Sequence, residues 1–258
     1  MLGKRADGFH DIETIFYPIP IKDAQEIIPD SDAGDIHFSS SGLPIPGDSS
    51  QNLSVKAWQL LKNDFPALPP MKLHLHKNIP MGAGLGGGSA DAAFMLKMLN
   101  QQFSLGISDS QLLDYALQLG SDCPFFIVNK PAYASGRGEL LRELSLQLDD
   151  YQILVVNPGI HINTGWAFSQ LDLTNPQHAR LEELIQFPLS TWKQHIFNDF
   201  EKPVFAAQPT IAALKQQLYH FGAVYVSMSG TGSTVFGIFE KNIRPGIKFP
   251  AHYFYNWI

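Results

Sequence analysis

At 258 residues the chain can hold one large domain or two ordinary ones, and 45% hydrophobic with 16% charged residues describes a folding chain with a sizeable core. Its net charge of −6, with no more than two Lys or Arg in a row, gives no electrostatic footprint for a nucleic acid, so a bound phosphate must be held by local backbone donors and a metal. The single cysteine, Cys123, excludes an internal disulfide framework and suits a reducing cytosol. No apolar run approaches the ~18 residues of a membrane span, and the opening MLGKRADGFH has no apolar signal region.

In chain order, Gly3 to Gly8 is turn chemistry and Asp7-Gly8 a hairpin signal, with an alternating β-rich stretch over Phe9 to Pro20 after it and only Met1 and Leu2 before it. Ala24 to Pro29 and Asp35 to Ser40 are predicted strands. Asn52 is predicted to cap a helix running to Lys62, and Met71 to His76 alternates as a strand. The glycine-rich segment Lys77 to Asp91 follows, and then a helical pattern from Ala90 to Gln101, for which Ser89 is the expected N-cap, with Asp91 in its first turn. Ser108-Asp109-Ser110-Gln111 fits a capping box for a helix to Leu119, stopped at Gly120. Phe125 to Val128 reads as a strand, and Pro131 to Gly138 as a strand with a glycine turn.

A second module is expected from Asp149, dividing the chain into domains 1–148 and 149–258. Gln152 to Asn157 is a buried strand, Thr164 to Leu171 a short helix, and residues 172–200 are helical in patches broken at Asn175-Pro176 and Pro188. Pro209 to His220 is a helix, Ala223 to Met228 a strand, Ser229 to Ser233 a second glycine loop, Thr234 to Glu240 a strand, and the aromatic tail from Pro245 a final strand. Strand, helices, strand, tight loop and strand predict a ferredoxin-like α+β module.

Strand, glycine loop and helix start is an arrangement that holds phosphate, because glycine lets the backbone approach a ligand while inward N–H groups and the helix start attract an anion. The segment lacks the Lys of a Walker loop. Gly82-x-Gly84-x-x-Gly87 matches the dinucleotide fingerprint, but Asn78-Ile79-Pro80-Met81 separates it from its strand and Asp109 lies in a helix start, so that match is coincidental. The pattern P-x-x-x-G-L-G-G-G-S-A is similar to the ATP loop of the GHMP kinases, which include galactokinase, homoserine kinase and mevalonate kinase. Ser89 is either a pure cap or also a contact to phosphate or Mg²⁺. Asp122 is either a turn residue before Pro124 or the base of a phosphoryl transfer, ionised at neutral pH as an isolated Asp of pKa about 4. Ser229-Gly230-Thr231-Gly232, as a second small-residue loop, suggests a ligand shared with the first at a domain cleft. Phe9 and His10 are either core or part of a base-stacking pocket. Asn198-Asp199-Phe200 reads as a helix cap with a packed ring.

Further segments fall in order: R-A-D-G-F-H-D-I-E-T at 5–14, Asn52-Leu53 with Lys56-Ala57, L-G-S-D-C-P-F-F at 119–126, A-S-G-R-G-E at 134–139, Asn198-Asp199-Phe200 and M-S-G-T-G-S at 228–233. With the glycine loop, they make nearly the whole chain resemble the GHMP kinases that act on 4-diphosphocytidyl-2-C-methyl-D-erythritol in the methylerythritol phosphate route to isoprenoids. The resemblance implies an N-terminal domain like domain 2 of ribosomal protein S5, a ferredoxin-like C-terminal domain, and a cytoplasmic monomer or homodimer that uses ATP and Mg²⁺. It implies ATP on Pro80, Met81, Gly82, Ala83, Gly84, Leu85, Gly86, Gly87, Gly88 and Ser89, with adenine near Asn52, Leu53 and Lys77 and the metal near Ser89. It implies cytidine against Phe9, His10 and Phe168, Asp122 as the catalytic residue acting on the 2-hydroxyl, and Ser229, Gly230, Thr231 and Gly232 closing on the transferred phosphate. The product implied is the 2-phosphate, with ADP.

One departure is expected to matter. The family pattern has a strand, roughly A-K-[IL]-N-L, ahead of the D-G-F-H turn, whose Lys pairs with the catalytic Asp. This sequence begins at Met1-Leu2-Gly3-Lys4-Arg5, with Lys4 read as part of the turn. The expectation is a chain without that strand, through a misassigned start or a truncation, in which nucleotide binding outlasts phosphoryl transfer. The alternatives are another GHMP small-molecule kinase and a nucleotide-binding, catalytically weak form.

Overall fold

The structure is a computed structural model describing residues 1–31, 34–172 and 181–258. Its contacts divide into two compact units. One comprises Phe16–Met81 and Gly86–Leu144; the other comprises Met1–Ile15, Gly82–Leu85 and Ser145–Ile258. The expected division was 1–148 and 149–258; the contacts instead group the first fifteen residues and four residues of the glycine loop with the later part of the chain.

In the first unit the strand Met71–Lys77 is central, antiparallel to Ala24–Pro29 on one side and parallel to Ile36–Gly42 on the other. Its period-2 pattern buries Met71, Leu73, Leu75 and Lys77 and leaves Lys72 and His76 outside. Met71 and Leu73, with Ile27, pack on the helices Leu53–Asp64, Gly87–Gln102, Asp109–Leu119 and Cys123–Val128, whose apolar faces supply Val55, Trp58, Leu61, Met95, Leu96, Leu99, Leu112, Ala116 and Ile127. Two of these helices start as expected. Asn52 Oδ1 accepts the Ser54 N–H at 2.9 Å, and Ser108 with Gln111 forms the capping box.

Two expectations fail here. Residues 123–128 are helical, not a strand: Pro124 sits in the first turn, where a missing N–H costs nothing, and Asn129, at φ 51°, ends the helix by donating its N–H to the Phe125 carbonyl at 2.6 Å. Burial of Cys123, Phe125 and Ile127 against the other helices outweighs the β propensity of the FFIV run. The helix Gly87–Gln102 starts earlier than expected, so Ser89 is not its cap. The cap is Gly86, at φ 67°, with no side-chain bond, and Asp91 lies beyond the first turn.

In the second unit the sheet order is Tyr225–Met228, Val235–Glu240, Tyr151–Asn157 and Phe254–Trp257, antiparallel throughout. Numbered along the chain this is 2-3-1-4, the ferredoxin-like order. The helix Pro209–His220 lays Ile211, Leu214 and Leu218 on Leu154, Val226 and Phe239. The helix at Thr164 runs to Ser169, and a 3-10 turn at Leu189–Thr191 follows the break at Pro188; the break expected at Asn175-Pro176 lies outside the described residues. The first hairpin has a two-residue strand on each side of its turn. Gly3–Lys4 pairs with His10–Asp11, so Lys4 belongs to a strand opposite His10 and not to the turn.

Candidate functional site

The glycine loop falls in both units, and each part has its own support. In the first unit, Lys77 follows Met71, Leu73 and Leu75 on the buried side of its strand, so a cation is carried into the core. The side chain is 0% exposed. Its Nζ donates to Asp91 Oδ2 at 2.8 Å and to Asp23 Oδ2, two carboxylates that are 8% and 3% exposed. Asp23 Oδ1 also accepts the N–H groups of Asn78 at 2.6 Å and Ile79 at 2.9 Å. Gln25 Nε2 donates to the Asp91 carbonyl at 2.8 Å. Burial is the largest effect on Asp91 and raises its carboxyl from 3.8 to about 6; Lys77 opposes the rise and Asp23 adds to it. A Cβ on Gly87 would lie 3.2 Å from Lys77 Nζ and 3.0 Å from Ile79, so the cluster packs directly under the start of the loop's helix. The Lys77 side chain, expected at an adenine, is therefore committed to Asp23 and Asp91. These two partners escaped the sequence reading, although the alternation that buries Lys77 demands buried anions for it.

The N-terminus of that helix carries no side-chain cap, so its first N–H groups are free of a capping partner. Gly86 has to be glycine here: with φ at 67°, a Cβ would lie 2.8 Å from the Phe126 ring. The Ser89 hydroxyl meets the thiol of Cys123, whose burial pushes it up to about 11. That contact joins the start of the loop's helix to the short helix Cys123–Val128, which Asp122 precedes. Asp122 is exposed, and its carboxylate makes no hydrogen bond or ion pair among the described residues. The protein crowded around it still raises its carboxyl above the ordinary value by desolvation; exposure decides whether a ligand reaches the oxygens. Asn52 caps its helix, and Leu53 is half-buried, with its Cδ1 3.8 Å from where a Cβ of Gly88 would be. Pro80 is half-buried and Met81 exposed. Among the described residues no group of three or more His, Cys, Asp or Glu side chains is placed to hold a metal.

In the second unit, Gly82 to Leu85 is fastened to the Ser229–Thr234 loop. Ser229 Oγ donates to the Gly84 carbonyl at 2.7 Å and the Thr234 N–H to the Ala83 carbonyl at 3.2 Å. Gly84 sits at φ 75°, and a Cβ there would be 2.2 Å from the Ser229 carbonyl oxygen. Ser229, expected at the substrate, thus spends its hydroxyl on the other loop. The Gly230 carbonyl accepts from Asn198, the Gly232 N–H donates to the Ser229 carbonyl at 3.0 Å, and Thr231 Oγ1 lies 3.5 Å from Thr164 Oγ1. The aromatic group forms in part. His10 and Phe168 have ring centroids 4.9 Å apart at 30°, and Phe168 meets Phe200 edge-on at 4.9 Å. Phe9, at the hairpin turn, is 49% exposed.

Two family descriptions match the chain, GHMP kinases N terminal domain over residues 52–130 and GHMP kinases C terminal over residues 179–246. The chain is 50% identical over 238 residues to a 4-diphosphocytidyl-2-C-methyl-D-erythritol kinase of Bacteroides fragilis, covering 92% of this chain and 86% of that one. It is 46% identical over 246 residues to the kinase of the same description from Cytophaga hutchinsonii, covering 95% and 88%. A crystal structure of 4-(cytidine 5'-diphospho)-2C-methyl-D-erythritol kinase superposes with a TM-score of 0.74 at 28% identity, covering 91% of this chain and 83% of that one. The chain belongs to the 4-diphosphocytidyl-2-C-methyl-D-erythritol kinase family of the GHMP kinases.

Proposed function

We propose that this chain is a cytoplasmic kinase that transfers the γ-phosphoryl group of ATP to the 2-hydroxyl of 4-diphosphocytidyl-2-C-methyl-D-erythritol, giving the 2-phosphate and ADP. The observation that carries the reading is the uncapped start of the helix Gly87–Gln102, suited to an anion, which packs in one core with the helix headed by the exposed carboxylate of Asp122. Phosphoryl transfer asks the protein chiefly for positioning and charge stabilisation. In this reading the N–H groups of Gly82 to Ser89 hold the phosphates, and Asn52, Leu53, Pro80, Met81 and the backbone of Lys77 border the nucleotide base. Asp122 accepts the proton of the 2-hydroxyl as its oxygen bonds to phosphorus and the bond to ADP breaks. A carboxyl raised by desolvation is a stronger base for that step than an ordinary Asp.

Mg²⁺ takes one or two protein oxygens and completes its shell with phosphate and water. The Ser89 hydroxyl is the donor proposed for it, and the lack of a larger ligand cluster among the described residues suits such a site. Bound there, the ion neutralises phosphate charge. Cytidine stacks on Phe9, His10 and Phe168, while Gly230, Thr231 and Gly232 close on the transferred phosphate. The domains of this reading remain 1–148 and 149–258. Among the described residues no helix is long and apolar enough to cross a membrane.

The test is ADP release with the cytidyl alcohol, ATP and Mg²⁺, with the product identified by phosphorus NMR. The 2-phosphate is expected; turnover of homoserine or mevalonate in its place overturns the reading. Phe168→Ala should raise the KM for the cytidyl alcohol about tenfold and leave the KM for ATP unchanged.

A further inference from the structure

The two fastenings of Gly82 to Leu85 have a directional consequence. A trans peptide is planar, with its C=O and N–H pointing opposite ways. The Ala83 carbonyl is held by the Thr234 N–H and the Gly84 carbonyl by Ser229 Oγ, so the N–H groups of Gly84 and Leu85 point away from the Ser229–Thr234 loop. Neither N–H donates a hydrogen bond to another group among the described residues. Two successive open donors with fixed direction suit a phosphate.

Behind this pair lies Asn198, with both amide hydrogens and its oxygen engaged. Its Nδ2 donates to the Met228 carbonyl and to the Gly230 carbonyl, both at 2.7 Å, which brackets Ser229. Its Oδ1 accepts the Phe200 N–H at 2.9 Å. Glu201, three residues on, accepts the Met228 N–H at 2.9 Å and pairs with Lys215 at 2.6 Å. The Ser229 backbone is thus held on the Met228 side by the half-buried Asn198 and the buried Glu201, and on the Gly230 side by Asn198.

We propose that Asn198 is a positioning residue for the nucleotide: it fixes Ser229, Ser229 fixes the Gly84 carbonyl, and the open N–H groups of Gly84 and Leu85 are thereby set to receive a phosphate. The proposal rests on the reading of Gly82–Ser89 as the ATP loop. It reassigns Ser229 from the acceptor side of the reaction to the donor side.

The experiment titrates a non-hydrolysable ATP analogue into the unaltered protein and into Ser229→Ala, Ser229→Thr, Asn198→Ala and the double Ala variant, with thermal unfolding recorded for each. Ser229→Ala and Asn198→Ala should each bind the analogue about tenfold more weakly, a loss of one hydrogen bond's worth. The double variant should also lose about tenfold, not a hundredfold, since both residues act through one contact. Ser229→Thr, which keeps the hydroxyl, should restore binding. In turnover the KM for ATP should rise while that for the cytidyl alcohol stays put. Undiminished analogue binding by a folded Ser229→Ala overturns the proposal, and so do losses that multiply in the double variant. If Asn198→Ala fails to fold, the Ser229 pair decides alone. No binding by the unaltered protein removes the ATP-loop reading itself and this proposal with it.

Discussion

The glycine loop is secured by opposite chemistry along its length. Gly82 to Leu85 is held by neutral hydrogen bonds from Ser229 and Thr234 to two backbone carbonyls. The helix start from Gly87 sits on a buried ion cluster of Lys77, Asp23 and Asp91. Neutral clamps set peptide direction and respond little to pH. A buried cluster of one cation and two carboxylates is sensitive to both pH and substitution, because each charge is stable only while its partners remain. The first arrangement governs how the N–H groups of the loop are aimed; the second governs whether the helix start stays in place at all.

The largest effect should come from removing the cation. Lys77→Met leaves two buried carboxylates facing each other without compensation, and loss of one member of a buried pair costs about 3–5 kcal/mol. For a protein of this size the melting temperature should fall by on the order of ten degrees. Adding Asp23→Asn and Asp91→Asn to Lys77→Met should return much of the loss, since a neutral cluster needs no counter-charge. Calorimetry on both variants checks it, and a Lys77→Met protein as stable as its parent would show that the cluster is incidental.

The matching break in the neutral clamp is Gly84→Ala. The left-handed backbone alone costs a non-glycine residue about 1–3 kcal/mol, and the added Cβ would meet the Ser229 carbonyl at 2.2 Å. Urea unfolding should register the loss, and analogue binding should fall with it, because the contact that aims the next N–H groups is forced apart. Unchanged binding in a destabilised Gly84→Ala would separate the clamp from the ligand.

How much of this was legible in the sequence depends on the reach of each interaction. Helices capped by neighbours two or three residues away, at Asn52 and Ser108, were readable because the signal is local. The ferredoxin-like strand order followed from the succession of strands and helices. Phe125 to Val128 were misread because FFIV favours strands in isolation while their helical packing is decided by partners elsewhere in the unit. The Lys77 cluster had a usable signal: the alternation M-K-L-H-L-H-K puts the last lysine on the apolar side of its strand. Its anions stand 54 and 14 residues away, however, and nothing local names them. Ser229 was read as a ligand contact, since its bond to a carbonyl 145 residues earlier leaves no local mark.

Acidity offers a gentler probe of the ionic half. The Asp91 carboxyl stands at about 6 in the fold against an ordinary 3.8. A group raised on folding contributes its stability in full below its unfolded value and loses it as pH rises through its folded value. Asp91 therefore favours the fold at low pH and burdens it once ionised, with the change falling between about 4 and 6. Asp91→Asn cannot ionise. Relative to the parent it should gain a few degrees at pH 8, and the gain should shrink toward pH 5. A difference that stays flat with pH would mean that Asp91 keeps its charge throughout.

The smallest changes ask which hydroxyls and amides serve the fold and which serve the ligand. Asn52 makes a true cap, so Asn52→Ala should cost about 1 kcal/mol. Ser89 is not a cap: its helix begins at Gly87 behind Gly86, and the hydroxyl meets the Cys123 thiol, a weak partner. Ser89→Ala should change stability by less than about 0.5 kcal/mol. If its hydroxyl serves Mg²⁺, turnover should drop and the Mg²⁺ needed for half-maximal rate should rise, while analogue binding without metal stays near the parent's. A Ser89→Ala protein with an unaltered Mg²⁺ requirement would leave the backbone N–H groups as the loop's sole contribution to the phosphate, and the helix start that lacks a cap would then be explained by the anion alone.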